Sequence, residues 1–251
     1  MNLVIITAIG VGGATVVGAL IGFLFKVISH KFSDVVLGFA AGIMLAASMI
    51  GLIIPSIESG GKHGIWISVL GILIGALFLD FADKITHHLH RLTGMDREKH
   101  SSNAKINKVM LFVLAIAIHN LPEGMAAGVG FGSDNISSAM IVAIGIALQN
   151  IPEGMVIISP MLLSGVSKKR TLVIASLTGV IEVVGTFIGY FLADISGTVL
   201  PFLLAFAGGT MLYIISDEMI PETHSHGFEK YATYSLLVGF IVMLIMDFYI
   251  S

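Results

Sequence analysis

The sequence predicts an all-α integral membrane protein with eight transmembrane helices. Of the 251 residues, 56% are hydrophobic and only 12% are charged, which is far from the composition of a soluble domain. The apolar residues form long runs without the period-2 alternation of a transmembrane β-strand. A helix needs about twenty apolar residues to cross a bilayer. Eight runs have that length: residues 4–25, 35–55, 65–81, 109–129, 138–162, 172–193, 200–220 and 232–249.

A single transmembrane domain accounts for residues 1–251. No Lys or Arg precedes Lys26, so the first apolar run lacks the basic start of a signal peptide, and we interpret it as a retained helix. The longest polar connection, at about residues 84–107, is predicted to be a cytoplasmic loop. Metal capture and an ordinary solvated loop are both open interpretations of its four histidines, since His-rich tracts are only a compositional signal. They are His87, His88, His90 and His100.

The basic residues predict the orientation in the membrane. If both termini are extracytoplasmic, 12 of the 13 Lys and Arg residues fall in cytoplasmic connections and only Lys62 falls outside. This bias follows the positive-inside rule. The sequence therefore predicts a multi-pass protein of the plasma or inner membrane. With no cysteine, thiolate metal sites and disulfides are excluded, and the net charge of -3 gives no indication of nucleic acid binding.

Two near copies of one motif lie thirty residues apart, IHNLPEG from residue 118 and LQNIPEG from residue 148. His119 and Glu123 are four residues apart, as are Gln149 and Glu153, so each pair shares one helix face. The proline inside each copy has no N–H, which frees the backbone carbonyl four residues earlier. Each copy thus offers several possible cation ligands at one depth in the membrane.

Three carboxylates lie near the middles of the fourth, fifth and sixth apolar runs: Glu123, Glu153 and Glu182. An acidic residue at the centre of a membrane helix costs about 2.5 to 3.5 kcal/mol on insertion scales. No Lys or Arg lies inside these runs to pair with them, so a bound cation best compensates the charge. Asn120 and Asn150 allow a second ion beside the first, with Glu123 and Glu153 as bridges. The predicted metal ligands are His119, Asn120, Glu123, Gln149, Asn150, Glu153 and Glu182.

The ligand types narrow the choice of metal. One imidazole among oxygen donors disfavours Ca²⁺ and Mg²⁺, and the lack of thiolate disfavours Cu(I). Zn²⁺, Fe²⁺, Mn²⁺ and Co²⁺ all remain, as substrates rather than resident cofactors, and we expect no organic cofactor. The fourth and fifth runs cross in opposite directions, with three runs before and three after them. This 3+2+3 order, with Pro-broken helices around a midplane site, is typical of an inverted-repeat transporter.

These motifs resemble the ZIP family of divalent-metal transporters, close to its bacterial GufA-like branch. The family pattern His-Asn-x-Pro-Glu-Gly is intact from His119 to Gly124, and the sixth-helix glutamate matches Glu182 in VIEVVG. The fifth-helix pattern often begins with histidine, whereas here it begins with Gln149. The resemblance implies uptake of zinc, and often iron, manganese, cobalt or cadmium, into the cytoplasm. It also implies a binuclear site and a homodimer in the lipid bilayer.

The resemblance also implies a function for two further parts of the sequence. At the predicted cytoplasmic end of the seventh run, acidic and histidine side chains are expected to line a metal exit path. They are Asp217, Glu218, Glu222, His224 and His226. At the predicted outer end of the second run, Glu58 is a candidate for collecting cations at the entrance.

Two alternative functions belong to other classes of protein. An intramembrane metal-dependent hydrolase is disfavoured because the H-E-x-x-H arrangement is absent and a single histidine lies inside the apolar runs. A metal sensor that does not transport is also compatible with the ligand set. Metal flux into proteoliposomes distinguishes these alternatives from a transporter.

Overall fold

The computed structural model describes residues 1–25, 28–92, 101–132, 135–195 and 199–250. Within these ranges the chain is helical and contains no strand. The eight long helices are α1 (Asn2–Gly22), α2 (His30–Ser59), α3 (Gly64–Leu92), α4 (Ser101–Val129), α5 (Ile136–Leu163), α6 (Lys168–Ile195), α7 (Leu200–Thr223) and α8 (Glu229–Ile250).

Seven helices of the described chain are long and apolar enough to cross a membrane, and α4 contains the predicted fourth run. This confirms the prediction of an all-α, multi-pass membrane protein. The predicted polar connection at 84–107 is helical at both ends, because α3 continues to Leu92 and α4 begins at Ser101. Helical hydrogen bonds need no apolar side chains, so a helix can extend beyond its apolar run. The backbone of residues 93–100 of that connection lies outside the described residues, as do the side chains of its four histidines.

The irregular helix turns do not lie where the sequence predicts them. Pro122 and Pro152 sit inside α4 and α5, which remain α-helical through both motifs. The irregular turns are instead π-helical segments in α2 (Ala47–Ile53) and α7 (Ile215–Met219). Each precedes a proline, Pro55 or Pro221, whose missing N–H cannot bond the carbonyl four residues earlier and favours a wider turn.

The helices pack as close pairs, with α4 against α6, α1 against α5 and α6, α2 against α8, and α3 against α7. Glycines make the closest backbone approaches in these pairs. A Cβ atom on Gly124 would lie 2.2 Å from the carbonyl oxygen of Glu182, and one on Gly154 would lie 2.1 Å from that of Thr15. Both motif glycines therefore fix the contacts of the helices that carry the predicted ligands.

An apolar core fills one end of the bundle between α2, α4, α5 and α7. Ile43, Leu52, Ile146 and Met211 are among its fully buried side chains. The core takes residues from the end of α4, the beginning of α5 and the length of α7 as far as Met219. The predicted ligands lie farther toward the opposite end, where α4 begins and α7 ends.

Candidate metal site

A cavity of about 480 Å³ lies between α2, α4, α5 and α7. Leu37 near the start of α2, and the exposed Glu222 and Ser225 at the end of α7, line its open side. One histidine and five acidic residues line the cavity: His119, Glu123, Glu153, Asp217, Glu218 and Glu222. The cavity thus joins the two motif helices to the acidic end of α7.

Glu123 lies fully buried beside this cavity. Both of its carboxylate oxygens lack a hydrogen-bond partner in the described chain, although Gln149 lies beside them. The carboxylates of Glu153 and Glu182 lie near enough to repel its negative charge. Glu153 is half-buried, and it is close enough to His119 and Glu218 to interact with both.

His119 contacts a residue that the sequence predicted to lie farther along the exit path. Its Nε2 atom lies 2.7 Å from a carboxylate oxygen of Glu218. Glu218 belongs to the π-helical segment of α7, and α7 packs against α4 and α2. Glu218 therefore lies at the predicted site itself, between the motif helices and the exit path.

Glu182 is held by donors from three other helices. Thr15 Oγ1 donates to its Oε1 atom over 2.7 Å, and the amide nitrogens of Asn120 and Asn150 donate to its two oxygens over 2.5 Å each. The Asn150 amide also donates to the carbonyl of Val11, at 3.2 Å. These contacts bring α1, α4, α5 and α6 together at one buried carboxylate.

Sequence reasoning missed Thr15. The residue is fully buried, and no motif surrounds it. The only signal in the sequence is its place between Gly12 and Gly18 at a spacing of three, which indicates a packing face rather than a site.

Five buried acceptor oxygens around these carboxylates have no donor in the described part of the chain. Two belong to Glu123, and one each belongs to the side-chain amides of Asn120, Gln149 and Asn150. A buried polar atom without a partner costs roughly 1–3 kcal/mol. No Lys or Arg among the described residues pairs with Glu123, Glu153 or Glu182. The site is therefore rich in acceptors and poor in donors, and a cation is the ligand that suits it.

The site is not already closed around an ion. Within the described ranges, no three His, Asp or Glu side chains stand together at metal-binding distances. Binding through the predicted ligands therefore requires side-chain rotations, for which the adjoining cavity provides space.

The remaining predicted residues lie in three different environments. Asp217 and Glu222 line the cavity as expected for an exit path. His224 instead packs against α8, with Nδ1 at 2.9 Å from the carbonyl of Ile220 and Nε2 at 3.0 Å from Thr233 Oγ1.

His226 lies in the connection between α7 and α8 and contacts Asp34. Glu58 is exposed at the far end of α2 and does not line the cavity. The structure thus brings the seven predicted metal ligands together and leaves the predicted entrance residue apart from them.

Comparison with known proteins identifies the family to which this chain belongs. A sequence model described as the ZIP zinc transporter matches residues 94–247. The chain belongs to the ZIP family. It is similar to the zinc transporter GufA of Myxococcus xanthus, with 38% identity over 94% of both chains. It also resembles the zinc transporter ZupT of Chlorobaculum parvum, with 37% identity over 93% of this chain and 92% of the relative. The zinc transporter ZIPB of Bordetella bronchiseptica is 35% identical over 93% of this chain and 77% of its own.

Family membership confirms the resemblance found in the motifs. ZIP proteins are transporters rather than enzymes, so the intramembrane hydrolase is excluded as an interpretation. The ZIP family and its zinc-transporting relatives support divalent-metal transport as the function of the chain.

Proposed function

We propose that this ZIP protein carries Zn²⁺, and to a lesser extent Fe²⁺, Mn²⁺, Co²⁺ and Cd²⁺, into the cytoplasm. The relatives named as zinc transporters support zinc as the main substrate. The donor set is one imidazole, His119, with carboxylate and amide oxygens, which suits borderline and harder divalent metals alike. Because Gln149 replaces a second imidazole, discrimination against Mn²⁺ is expected to be weak.

The observation that carries this proposal is a group of five buried oxygens that have no donor in the described chain. They belong to Glu123 and to three neighbouring amides, close to the buried Glu182 and the half-buried Glu153. A soluble ligand with hydrogen-bond donors would need to enter a site where most acceptors lie deep inside a helix bundle. A dehydrated metal ion satisfies several oxygens at once and also offsets the carboxylate charge. The adjoining cavity gives such an ion a path to one side of the bundle.

Two ion positions are proposed. The first uses His119, Glu123, Gln149 and Glu153, and we add Glu218 because of its contact with His119. The second position uses three residues that already meet through hydrogen bonds, Asn120, Asn150 and Glu182. Glu123 and Glu153 bridge the two ions.

The inverted repeat is part of this proposal and is supported by the glycine contacts. Gly12 and Gly179 pack against each other's carbonyl where α1 crosses α6. Gly18 packs on the carbonyl of Ile151, just as Gly185 packs on that of Leu121. The same sequence offset separates three pairs of positions in α1 and α6: Gly12 and Gly179, Thr15 and Glu182, and Gly18 and Gly185. In this arrangement α1 to α3 correspond to α6 to α8, and α4 corresponds to α5.

The direction of transport follows from the predicted orientation. The basic residues predict that α2 begins and α7 ends at the cytoplasmic side, and the cavity opens there. The apolar core extends from beside the cavity toward the other end, where it includes the end of α4 and the beginnings of α5 and α7. This conformation is then open to the cytoplasm, with both termini on the opposite side of the plasma or inner membrane. A homodimer remains a proposal from the family resemblance.

Metal uptake into proteoliposomes tests the function. We expect saturable Zn²⁺ entry that Cd²⁺, Fe²⁺ and Mn²⁺ inhibit, and loss of entry in Glu123→Ala. A matched control is Glu229→Ala, which removes an exposed carboxylate at the start of α8 and should transport normally. Zn²⁺ binding without flux in the wild-type protein would instead favour the non-transporting sensor.

A further inference from the structure

A basic patch lies at the end of the bundle where α1 and α5 end and α6 begins. We give this name to Lys168, Lys169 and Arg170, three consecutive cationic residues that are all exposed. They belong to the first turn of α6, which contains no acidic residue. The first turn of a helix carries a partial positive charge, so cations are unfavourable there unless an anion compensates them. The patch therefore has no counterion in its own helix turn.

The neighbouring helices do not supply a counterion either. The sequence has no Asp or Glu in residues 1–33, which include α1, or in residues 154–181, which include the adjoining parts of α5 and α6. The helix α4, which packs against α6, has none before Glu123. Within the described ranges, no carboxylate forms an ion pair with the patch. Its counterion must come from outside the described chain.

Exposed apolar residues flank the basic patch. Ala19, Ile158 and Ala175 form a small buried cluster between α1, α5 and α6. Just beyond this cluster, Leu24 is 80% exposed and Leu163 is 67% exposed. The apolar spans of α5 and α6 end and begin at this level, which is where the phosphates and the acyl chains of one leaflet meet. A partner within the membrane surface therefore fits the patch better than a soluble protein does.

The two halves of this side of the bundle differ in charge. At the ends of α2, α7 and α8, four carboxylates accompany the basic residues: Asp34, Asp217, Glu222 and Glu229. The cavity opens in that half, beside Glu222. Lys31 in the same half lies over the ring of Tyr231, with 3.8 Å between its nitrogen and the ring centroid. An anion is therefore attracted to the basic patch rather than to the rim of the cavity.

We propose that the basic patch binds the phosphate groups of anionic phospholipids in the adjoining leaflet. Arg170 offers a planar fork of donors that matches two phosphate oxygens, and Lys168 and Lys169 add point charges. Leu24 and Leu163 contact the acyl chains of the same lipids. Basic clusters immediately beside a membrane helix attract anionic headgroups in this way. The proposal is independent of metal transport, because no ligand of the proposed ion positions lies in the patch.

Lipid binding is measured by native mass spectrometry on the detergent-purified protein. Phosphatidylglycerol and phosphatidylcholine with identical acyl chains are compared, and we expect the protein to prefer phosphatidylglycerol. The variant Lys168→Gln/Lys169→Gln/Arg170→Gln should lose about tenfold or more in affinity for phosphatidylglycerol, since each basic charge near an anionic surface contributes about fivefold. Its affinity for phosphatidylcholine should not change.

The matched control is Lys31→Gln/Lys62→Gln/Lys230→Gln. It changes the net charge by the same amount and leaves the patch intact, so it should keep most of its affinity for phosphatidylglycerol. Its three lysines are exposed, as are the residues of the patch. If the patch variant does not fold, Arg170→Gln alone should still lose about fivefold.

Equal affinity for phosphatidylglycerol in the wild-type protein and the patch variants would overturn the proposal, as would an equal loss in the control. Inorganic phosphate at the same concentration should not compete, because it lacks the acyl chains that Leu24 and Leu163 contact. Competition by inorganic phosphate would indicate a site for soluble phosphate and contradict the proposal. Binding of a soluble polyglutamate peptide with no preference for phosphatidylglycerol would contradict it too, and would indicate an acidic protein as the partner.

Discussion

Glu182 depends on residues outside its own sequence motif. It accepts hydrogen bonds from Thr15, Asn120 and Asn150, so three other helices determine where its carboxylate lies. Asn120 and Asn150 are recognisable because they belong to the repeated motif. Thr15 is not, because one threonine in an apolar helix resembles many packing residues. Its role emerges only from the 2.7 Å contact across the α1–α6 interface.

Thr15 is therefore expected to affect metal affinity. Thr15→Val keeps the side-chain shape but removes the donor to Glu182. A hydrogen bond to a charged group contributes about 1.5–3 kcal/mol, so the Kd for Zn²⁺ should rise about tenfold or more. Thr15→Ser keeps the hydroxyl and should bind nearly as tightly as the wild-type protein. Equal affinities for Thr15→Val and the wild-type protein, measured by equilibrium dialysis, would show that this hydrogen bond does not support the site.

At the scale of the helices, the motif glycines determine how closely the ligand-bearing elements approach. Gly124 packs on the carbonyl of Glu182 and Gly154 packs on that of Thr15, with no space for a Cβ atom. The Pro-Glu-Gly motif therefore combines a ligand with the small residue that places its helix. This also explains why both copies keep the glycine although it binds nothing.

Gly124→Ala should destabilise the α4–α6 pair. Backbone atoms of α6 cannot move aside as a flexible side chain would, so the cost is expected to reach or exceed the 1–3 kcal/mol that is typical of overpacking. A lower melting temperature in detergent and weaker Zn²⁺ binding should appear together. Gly10→Ala, where nothing lies within 4 Å of the added Cβ, is the matched control and should leave both unchanged. A Gly124→Ala protein as stable as this control would contradict the packing described for the motif.

Much of the element order could be predicted from the sequence. Apolar length alone identified the membrane helices, because a bilayer requires about twenty apolar residues whatever the tertiary contacts are. The ends of α3 and α4 could not be predicted in this way, since they extend beyond the apolar runs. The π-helical segments were also missed, because a proline alone does not reveal whether a helix absorbs it, as α4 does at Pro122, or widens, as α7 does before Pro221.

The candidate site, like the fold, could be predicted only in part from the sequence. The repeated motif identified His119, Glu123, Gln149 and Glu153, since ligand types at a spacing of four share one helix face. The contact between His119 and Glu218 could not be predicted, because it depends on how α7 packs against α4. Residues on one helix can be related by their spacing, whereas residues on different helices are related only by the fold.

At the scale of the whole molecule, the orientation determines what the cavity does. A cavity that opens to the cytoplasm is a release path, whereas the same cavity facing outward would be an entrance. Single cysteines can be introduced at Ser59 and Ser167, which are exposed at the two ends of the bundle, because the chain has no cysteine of its own. In intact cells an impermeant reagent should label Ser59→Cys and not Ser167→Cys. The reverse pattern would contradict the proposed orientation and direction.

The central proposal is that two metal ions share the carboxylates of Glu123, Glu153 and Glu182. Counting the ions bound per chain tests it most directly, by equilibrium dialysis or anomalous scattering on detergent-purified protein. We expect the wild-type chain to bind two ions. Glu182→Ala should retain one ion, bound by His119, because Glu182 reaches only the position next to Asn120 and Asn150. Glu123→Ala should lose tight binding at both positions, since Glu123 bridges them. Two ions per chain in Glu182→Ala, or undiminished binding in Glu123→Ala, would contradict the claim.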